Sequence, residues 1–338
     1  MGDVVMQQIP NIDIGRYLGG EMSPDERSAM LAELAVACED HGFFLIHGHG
    51  CEALIDAMFG QSQAFFALPR ERRLQIERDA ENPLGYYDKE LTKQKRDLKQ
   101  VFDYKAGGRE SSNPQRRTRW PEDMPQFKDV LSEFFERFTQ LSEDTMALIF
   151  TALGMPQEQV RKTMQQGFGE MHTSSARLNH YPAQDPLPAS ERDNVTELGD
   201  MALHHHTDPG AITLLIQDDH GGLQARSKRA GWIDVEPVAG SIVVNIGDVL
   251  QVWSNDRCTA GVHRVLPVHS DRGRFSTPYF YQPRFDAVIE PWVEAGEAPR
   301  YRSFSWRDYI RGRVTDNFAD YGEDDIQITR FAIGGLTA

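Results

Sequence analysis

Cysteine is nearly missing from these 338 residues. Only Cys38, Cys51 and Cys258 occur, an odd and scattered set that argues against a disulfide framework and fits a reducing compartment. Positive charge is also in deficit: 36 lysines and arginines face 51 aspartates and glutamates, for a formal net charge of −15. A chain of that balance has no general attraction to nucleic-acid phosphates or anionic headgroups. No apolar run approaches the roughly 20 residues of a membrane-spanning helix. Met1-Gly2-Asp3-Val4-Val5-Met6 lacks the basic-then-apolar order of a secretory leader. Internal repeats and low-complexity linkers are missing as well. These absences lead us to expect a cytoplasmic protein that binds neither nucleic acid nor membrane, and they leave its oligomeric state open.

What is present is enough apolar material, 40% of residues, for a substantial core. Ser23, Pro24 and Glu26 form a helix-start signature, followed by apolar positions at Met30, Leu31, Leu34, Ala35 and Cys38. A second helix is expected over residues 51 to 68 and a long one from Phe127 to about Leu153. Residues 107 to 125 read as an exposed loop. After Gly167 the pattern changes to short strands, near 175–181, 202–206, 211–217, 223–226, 231–235, 241–246, 249–254, 261–267 and 274–282. That spacing predicts an antiparallel sandwich or jelly roll. Ser305 to Asp308 then form a capping box at the start of a last helix.

The chemistry concentrates at His204-His205-His206-Thr207-Asp208 and at His263. On a strand, His206 and Asp208 leave the same face about 6.5 Å apart, close enough to converge on one ion. Two imidazoles and one carboxylate leave coordination positions open, which suits non-haem Fe(II) that must also meet substrate and O2. His263 completes the set if its strand lies across the sheet. By alternation His204 shares the face of His206, where it lines a substrate pocket or braces the ligands, and His205 points away. After ten intervening residues beyond His263, Arg274 and Ser276 again share one strand face. A guanidinium fork beside a hydroxyl is the chemistry that fixes a carboxylate. A small dicarboxylate can therefore chelate the metal at one end and meet Arg274 at the other. His47 and His49 read as turn or packing residues, and Asp218-Asp219-His220 as turn chemistry. His172, His180 and His269 have no matching partners in the sequence.

Arg177-Leu178-Asn179-His180-Tyr181-Pro182, His206-Thr207-Asp208-Pro209-Gly210, Asn245-Ile246-Gly247-Asp248, His263-Arg264-Val265 and Arg274-Phe275-Ser276 follow one another in order. In this the chain resembles the isopenicillin-N-synthase-like branch of the Fe(II)/2-oxoglutarate-dependent dioxygenases. The resemblance implies a mainly β fold with α-helical flanks: a double-stranded β-helix (jelly roll) core under a helical N-terminal cover, with a C-terminal helix. It implies three segments, an N-terminal region over 1–166, a jelly-roll core over 167–285 and an extension over 286–338 that folds back, with Asp324-Asp325-Ile326-Gln327-Ile328 as its closing stretch. It makes His206, Asp208 and His263 the iron ligands. Arg274 and Ser276 then grip the distal carboxylate of 2-oxoglutarate, and Asn179 and Tyr181 help line the cosubstrate site.

The implied reaction couples oxidative decarboxylation of 2-oxoglutarate to succinate and CO2 with C–H hydroxylation of a small organic substrate. Desaturation or oxidative ring closure is the alternative within the same chemistry, and a non-catalytic small-molecule-binding barrel is the alternative outside it. Tyr86, Tyr87 and Phe102, with Phe280 and Tyr281, are expected to form the substrate wall, because aromatic rings give shape at little entropic cost. Arg177, two residues before Asn179, either points inward to receive a substrate carboxylate or forms an internal salt bridge. The identity of the primary substrate is not legible.

Overall fold

A computed structural model of the chain describes residues 9–92, 95–106, 111, 114–169, 172–267, 273–314 and 326–334. Part of the loop expected at 107–125, His269 and the Asp324-Asp325 pair lie outside the described residues. Two sheets face each other. The strands that build them are β1 (Asn11–Asp13), β2 (Phe43–His47), β3 (Gly85–Tyr87), β4 (Gln100–Tyr104), β5 (Ser175–Tyr181), β6 (Leu203–His206), β7 (Ile212–Gln217), β8 (Leu223–Ser227), β9 (Gly231–Asp234), β10 (Ile242–Ile246), β11 (His263–Val265) and β12 (Arg274–Tyr281). The larger sheet runs β1-β2-β10-β7-β12-β5-β4-β3, and the smaller runs β9-β8-β11-β6. With its helical flanks this is the double-stranded β-helix that the resemblance implied. The N-terminal segment supplies strands to both margins of the larger sheet: β2 pairs with β10, and β4 pairs with β5.

Strand alternation divides the larger sheet into two chemically different faces. Register places Ser276 opposite Asn179, Arg274 opposite Tyr181, and Asp103 opposite Arg177. These residues share the inner face, toward the smaller sheet. The outer face carries Phe44, Phe102, Leu178, Leu214, Val244, Tyr279 and Tyr281, which merge into the core beneath the helices.

That outer core is closed by α1 (Pro24–Asp40), α2 (Glu52–Phe66) and α3 (Pro125–Ala152). The predicted capping box is present on α1: Ser23 accepts from the Glu26 amide and Glu26 accepts from the Ser23 amide. α3 buries Phe127, Leu131, Phe134, Phe135 and Phe138. Phe135 meets Tyr279 edge-on at 5.1 Å, and the Thr139 and Tyr279 hydroxyls hydrogen-bond at 2.5 Å. The long helix thus lies directly behind strand β12.

One expected strand is a helix. Residues 248 to 253 form α4 (Asp248–Trp253), in which Val249, Leu250, Val252 and Trp253 are all buried. A short run that is apolar all round carries no periodicity to separate strand from helix. Before it, Gly247 brings the backbone against the loop after β6. A Cβ at Gly247 would stand 2.3 Å from the Gly210 carbonyl and 2.9 Å from that of Asp208, so only glycine fits this approach. The last helix, α5 (Trp306–Val314), returns toward the open end of the sheets.

Candidate active site

His206 ends β6 and His263 opens β11, and the two are cross-strand partners. Their ring centroids lie 4.2 Å apart. Asp208, two residues beyond His206, turns back beneath them: Oδ1 is 3.5 Å from His206 Nε2 and 3.9 Å from His263 Nε2. One ligand atom from each of the three residues falls within 4.8 Å of the others.

The outer contacts of this triad orient it. His206 Nδ1 lies 2.9 Å from the His204 carbonyl and His263 Nδ1 lies 2.9 Å from the Gly261 carbonyl. A carbonyl only accepts, so each Nδ1 carries a hydrogen and each Nε2 is the ring nitrogen left to face a metal. Asp208 Oδ2 accepts from the Thr213 hydroxyl and, at 2.8 Å, from the Asn245 amide, which leaves Oδ1 for the shared point. Burial opposes the Asp208 charge, but the neighbouring His263 and His206 and the Thr213 hydroxyl outweigh it and hold the carboxyl well below the usual range. Burial pushes His263 down to about 4, toward the neutral form that a metal requires. Two imidazoles and one carboxylate fit an Fe(II) face with open positions, and they do not match a closed four-ligand structural zinc site.

The three ligands and the Arg274 strand line one cavity of about 880 Å³, within the roughly 300–1,000 Å³ usual for small-ligand sites. Arg274 is 1% exposed. Its Nη2 donates to Gln217 Oε1 at 3.1 Å and its guanidinium lies over the Tyr181 ring at 5.0 Å, while Nε and Nη1 have no hydrogen-bond partner. A buried guanidinium with unmade hydrogen bonds costs several kcal/mol, and it stands ready for a carboxylate. Ser276 Oγ accepts from the Asn179 amide at 3.3 Å beside it.

Of the residues expected to meet substrate, Arg177 and Phe280 line the cavity and five others do not. Tyr86, Phe102 and Tyr281 are fully buried on the outer face, in the helix-side core. Alternation puts only one of Phe280 and Tyr281 on the inner face, and register makes it Phe280. Tyr87 lies under the Arg78 guanidinium at 4.6 Å and stays out of the cavity lining. His204 turns to Asp97 at 3.3 Å and Asp200 at 3.4 Å. A register irregularity between β6 and β11 breaks the alternation that would have set His204 beside His206. Sequence reasoning missed Glu90, Lys99 and Asp103 in the wall, and Ile310 and Arg313 of α5. A charge inside an apolar strand, as in Val101-Phe102-Asp103-Tyr104, was the available signal for an inward polar face.

Residues 173–283 match the family model described as the 2OG-Fe(II) oxygenase superfamily. Residues 9–127 match the one described as non-haem dioxygenase in morphine synthesis N-terminal. The rice (Oryza sativa subsp. japonica) homoarginine-6-hydroxylase 2-ODD-233 is 32% identical over 333 residues, covering 92% of this chain and 97% of its own. The 2-oxoglutarate-Fe(II) type oxidoreductase hxnY of Emericella nidulans is 28% identical, covering 91% and 90%. Among solved structures, a full-length Neurospora crassa protein in complex with alpha-KG and thymine superposes with a TM-score of 0.74 at 26% identity, over 91% of this chain and 96% of that one. The rice dioxygenase for auxin oxidation superposes with a TM-score of 0.70 at 26% identity, over 96% and 100%.

Proposed function

This chain belongs to the 2OG-Fe(II) oxygenase superfamily, and from that membership we propose that His206, Asp208 and His263 hold its Fe(II) and that Arg274 and Ser276 hold the distal carboxylate of 2-oxoglutarate. The protein is a 2-oxoglutarate-dependent non-haem Fe(II) dioxygenase. When bound, the iron supplies the O2 chemistry that turns 2-oxoglutarate into succinate and CO2 while a substrate C–H bond is hydroxylated. The chain's own task is to bind and orient. Arg274 offers unpaired donors to the cosubstrate carboxylate, Asn179 and Tyr181 form the wall beside it, and Thr213 and Asn245 keep Asp208 Oδ1 aimed at the metal. The unsatisfied guanidinium of Arg274, in the same cavity as the three ligands, carries this reading.

The primary substrate is a small molecule in this proposal, as cavity size supports, with Phe280 and Arg177 in its wall. Solved relatives hold small molecules. No described helix is long and apolar enough to cross a membrane. A cytoplasmic location without nucleic-acid or membrane partners is part of the proposal, supported by the net charge and by three cysteines that are free and buried. So is the division into 1–166, 167–285 and 286–338, in which the first segment contains the 9–127 match and the second the 173–283 match.

The test is anaerobic loading with Fe(II), 2-oxoglutarate and a substrate library, followed by O2 and mass analysis. Succinate formation with a gain of one oxygen in a consumed compound is expected. Loss of two hydrogens would assign desaturation or ring closure, and no succinate at all would overturn the proposal.

A further inference from the structure

The charged part of the cavity wall is a lattice built on Glu90. Its Oε1 accepts from Arg78 Nη2 at 2.6 Å and Arg177 Nη2 at 2.8 Å. Its Oε2 accepts from Arg177 Nη1 at 2.8 Å and pairs with Lys99 Nζ at 2.8 Å. Asp103 takes Arg177 Nε at 2.7 Å and Nη2 at 3.0 Å, together with Arg78 Nη1. Lys99 has a second partner in Asp97 Oδ2 at 3.1 Å. Three cations thus meet three carboxylates, and nearly all of this is shielded from water.

Charge balance does not mean that donors and acceptors balance. A carboxylate offers about four acceptor sites, an ammonium three donors and a guanidinium five. Glu90 is full. Lys99 and Arg177 each retain one N–H beyond these contacts, and the two nitrogens concerned, Nζ and Nη1, flank the same Glu90 oxygen. Both residues line the cavity, whereas Arg78 and Asp97 do not. Asp103 in the same wall keeps one acceptor site by this count, whereas the two unassigned hydrogens stand on either side of one point, where a single anionic group can take both.

We propose that Lys99 and Arg177 form an anion subsite that receives a carboxylate of the primary substrate. The inference rests on the reading of this cavity as an oxygenase site, and it narrows the substrate class to small organic acids. The rest of the Glu90 lattice holds the two donors in place, so little ordering is left to occur on binding.

Benzoate and its uncharged counterpart benzamide are the probes, titrated by ligand-observed NMR into protein holding Mn(II) and saturating 2-oxoglutarate, without O2. Saturating 2-oxoglutarate occupies Arg274 and removes it as a competing anion site. Benzoate is expected to bind at least about tenfold more tightly than benzamide, with the preference lost in Lys99→Met. Should that variant not fold, Arg177→Lys, which keeps the positive charge but lacks the unassigned Nη1 hydrogen, is expected to weaken benzoate in the same way. Equal binding of the two probes, no benzoate binding, or an unchanged preference in the folded variant would overturn the subsite. The 2-oxoglutarate affinity is measured first, and benzoate is titrated whatever that result. Failure of 2-oxoglutarate counts against the oxygenase reading, and failure of benzoate alone counts against this proposal.

Discussion

At Arg274 the proposed cosubstrate contact sets stability against binding. Its guanidinium is held where water barely reaches, with Nε and Nη1 unpaired, a state that replacement by a well-packed apolar side chain relieves. Arg274→Met is therefore expected to melt no lower than the parent protein without ligand, and up to a few degrees higher. It should also lose the thermal shift that 2-oxoglutarate gives the parent, which for one site is worth about 2.7 kcal/mol at 100 times Kd. Differential scanning calorimetry with and without 2-oxoglutarate reads both effects. An equal cosubstrate shift in the variant would remove Arg274 from the site. The same logic sets Asp208 apart from an ordinary buried acid, since Thr213 and Asn245 occupy one oxygen and leave the other for the proposed metal.

At the scale of an element, β5 and β12 each present a polar inner edge and an apolar outer one. His180 belongs to the outer edge, where its ring stacks on Phe275 at 4.6 Å and faces Phe66 at 5.4 Å. The Gln100 amide lies 3.2 Å from its Nδ1, and the Tyr86 hydroxyl donates to Gln100 Oε1 at 2.7 Å. Tyr86 therefore braces the sheet from behind and does not shape the substrate wall. Burial pushes His180 down to about 4 from its ordinary 6.5. The unfolded chain then binds more protons across that interval, so the contribution is fully present above pH 6.5 and is lost as pH falls toward 4. Chemical denaturation from pH 7 to 4 should show declining stability in the parent and a shallower decline in His180→Phe. Identical slopes would show that His180 contributes nothing to the acid response.

For the whole molecule, the decisive feature is that the chain's first hundred residues supply strands to both margins of the sheet that carries Arg274. α5 then closes the far side. Arg313 Nη2 donates at 2.7 Å to the carbonyl of Thr207, between two candidate ligands, and the Tyr309 hydroxyl donates at 2.6 Å to buried Asp248. Strands from both sides of residue 166 thus share one sheet. A fragment of residues 1–166 would leave the inward edges of β2 and β4 without their partners β10 and β5. It should lack dispersed amide resonances in a heteronuclear NMR spectrum, while the full chain unfolds in one transition. A folded fragment would contradict this account of cooperativity.

Much of the candidate site was legible because it is local. His206 and Asp208 stand two residues apart, as do Arg274 and Ser276, and a strand's period of two places each pair on one face without knowledge of the fold. The start of α1 and the span of α3 were legible for the same reason, since caps and helical periodicity act within a few turns. The substrate wall was not. Whether Phe280 or Tyr281 faces inward depends on which side of β12 the long helix covers. Whether His204 joins His206 depends on a register irregularity against β11, and the helix over residues 248 to 253 was not legible because a short, mostly apolar run shows no clear period. The Glu90 lattice brings together Arg78, Lys99, Asp103 and Arg177 through strand pairing and loop packing. Spacing along the chain determines which groups share an edge, but which edges meet is decided by cross-strand register and burial, and those exist only once the two sheets have closed on each other.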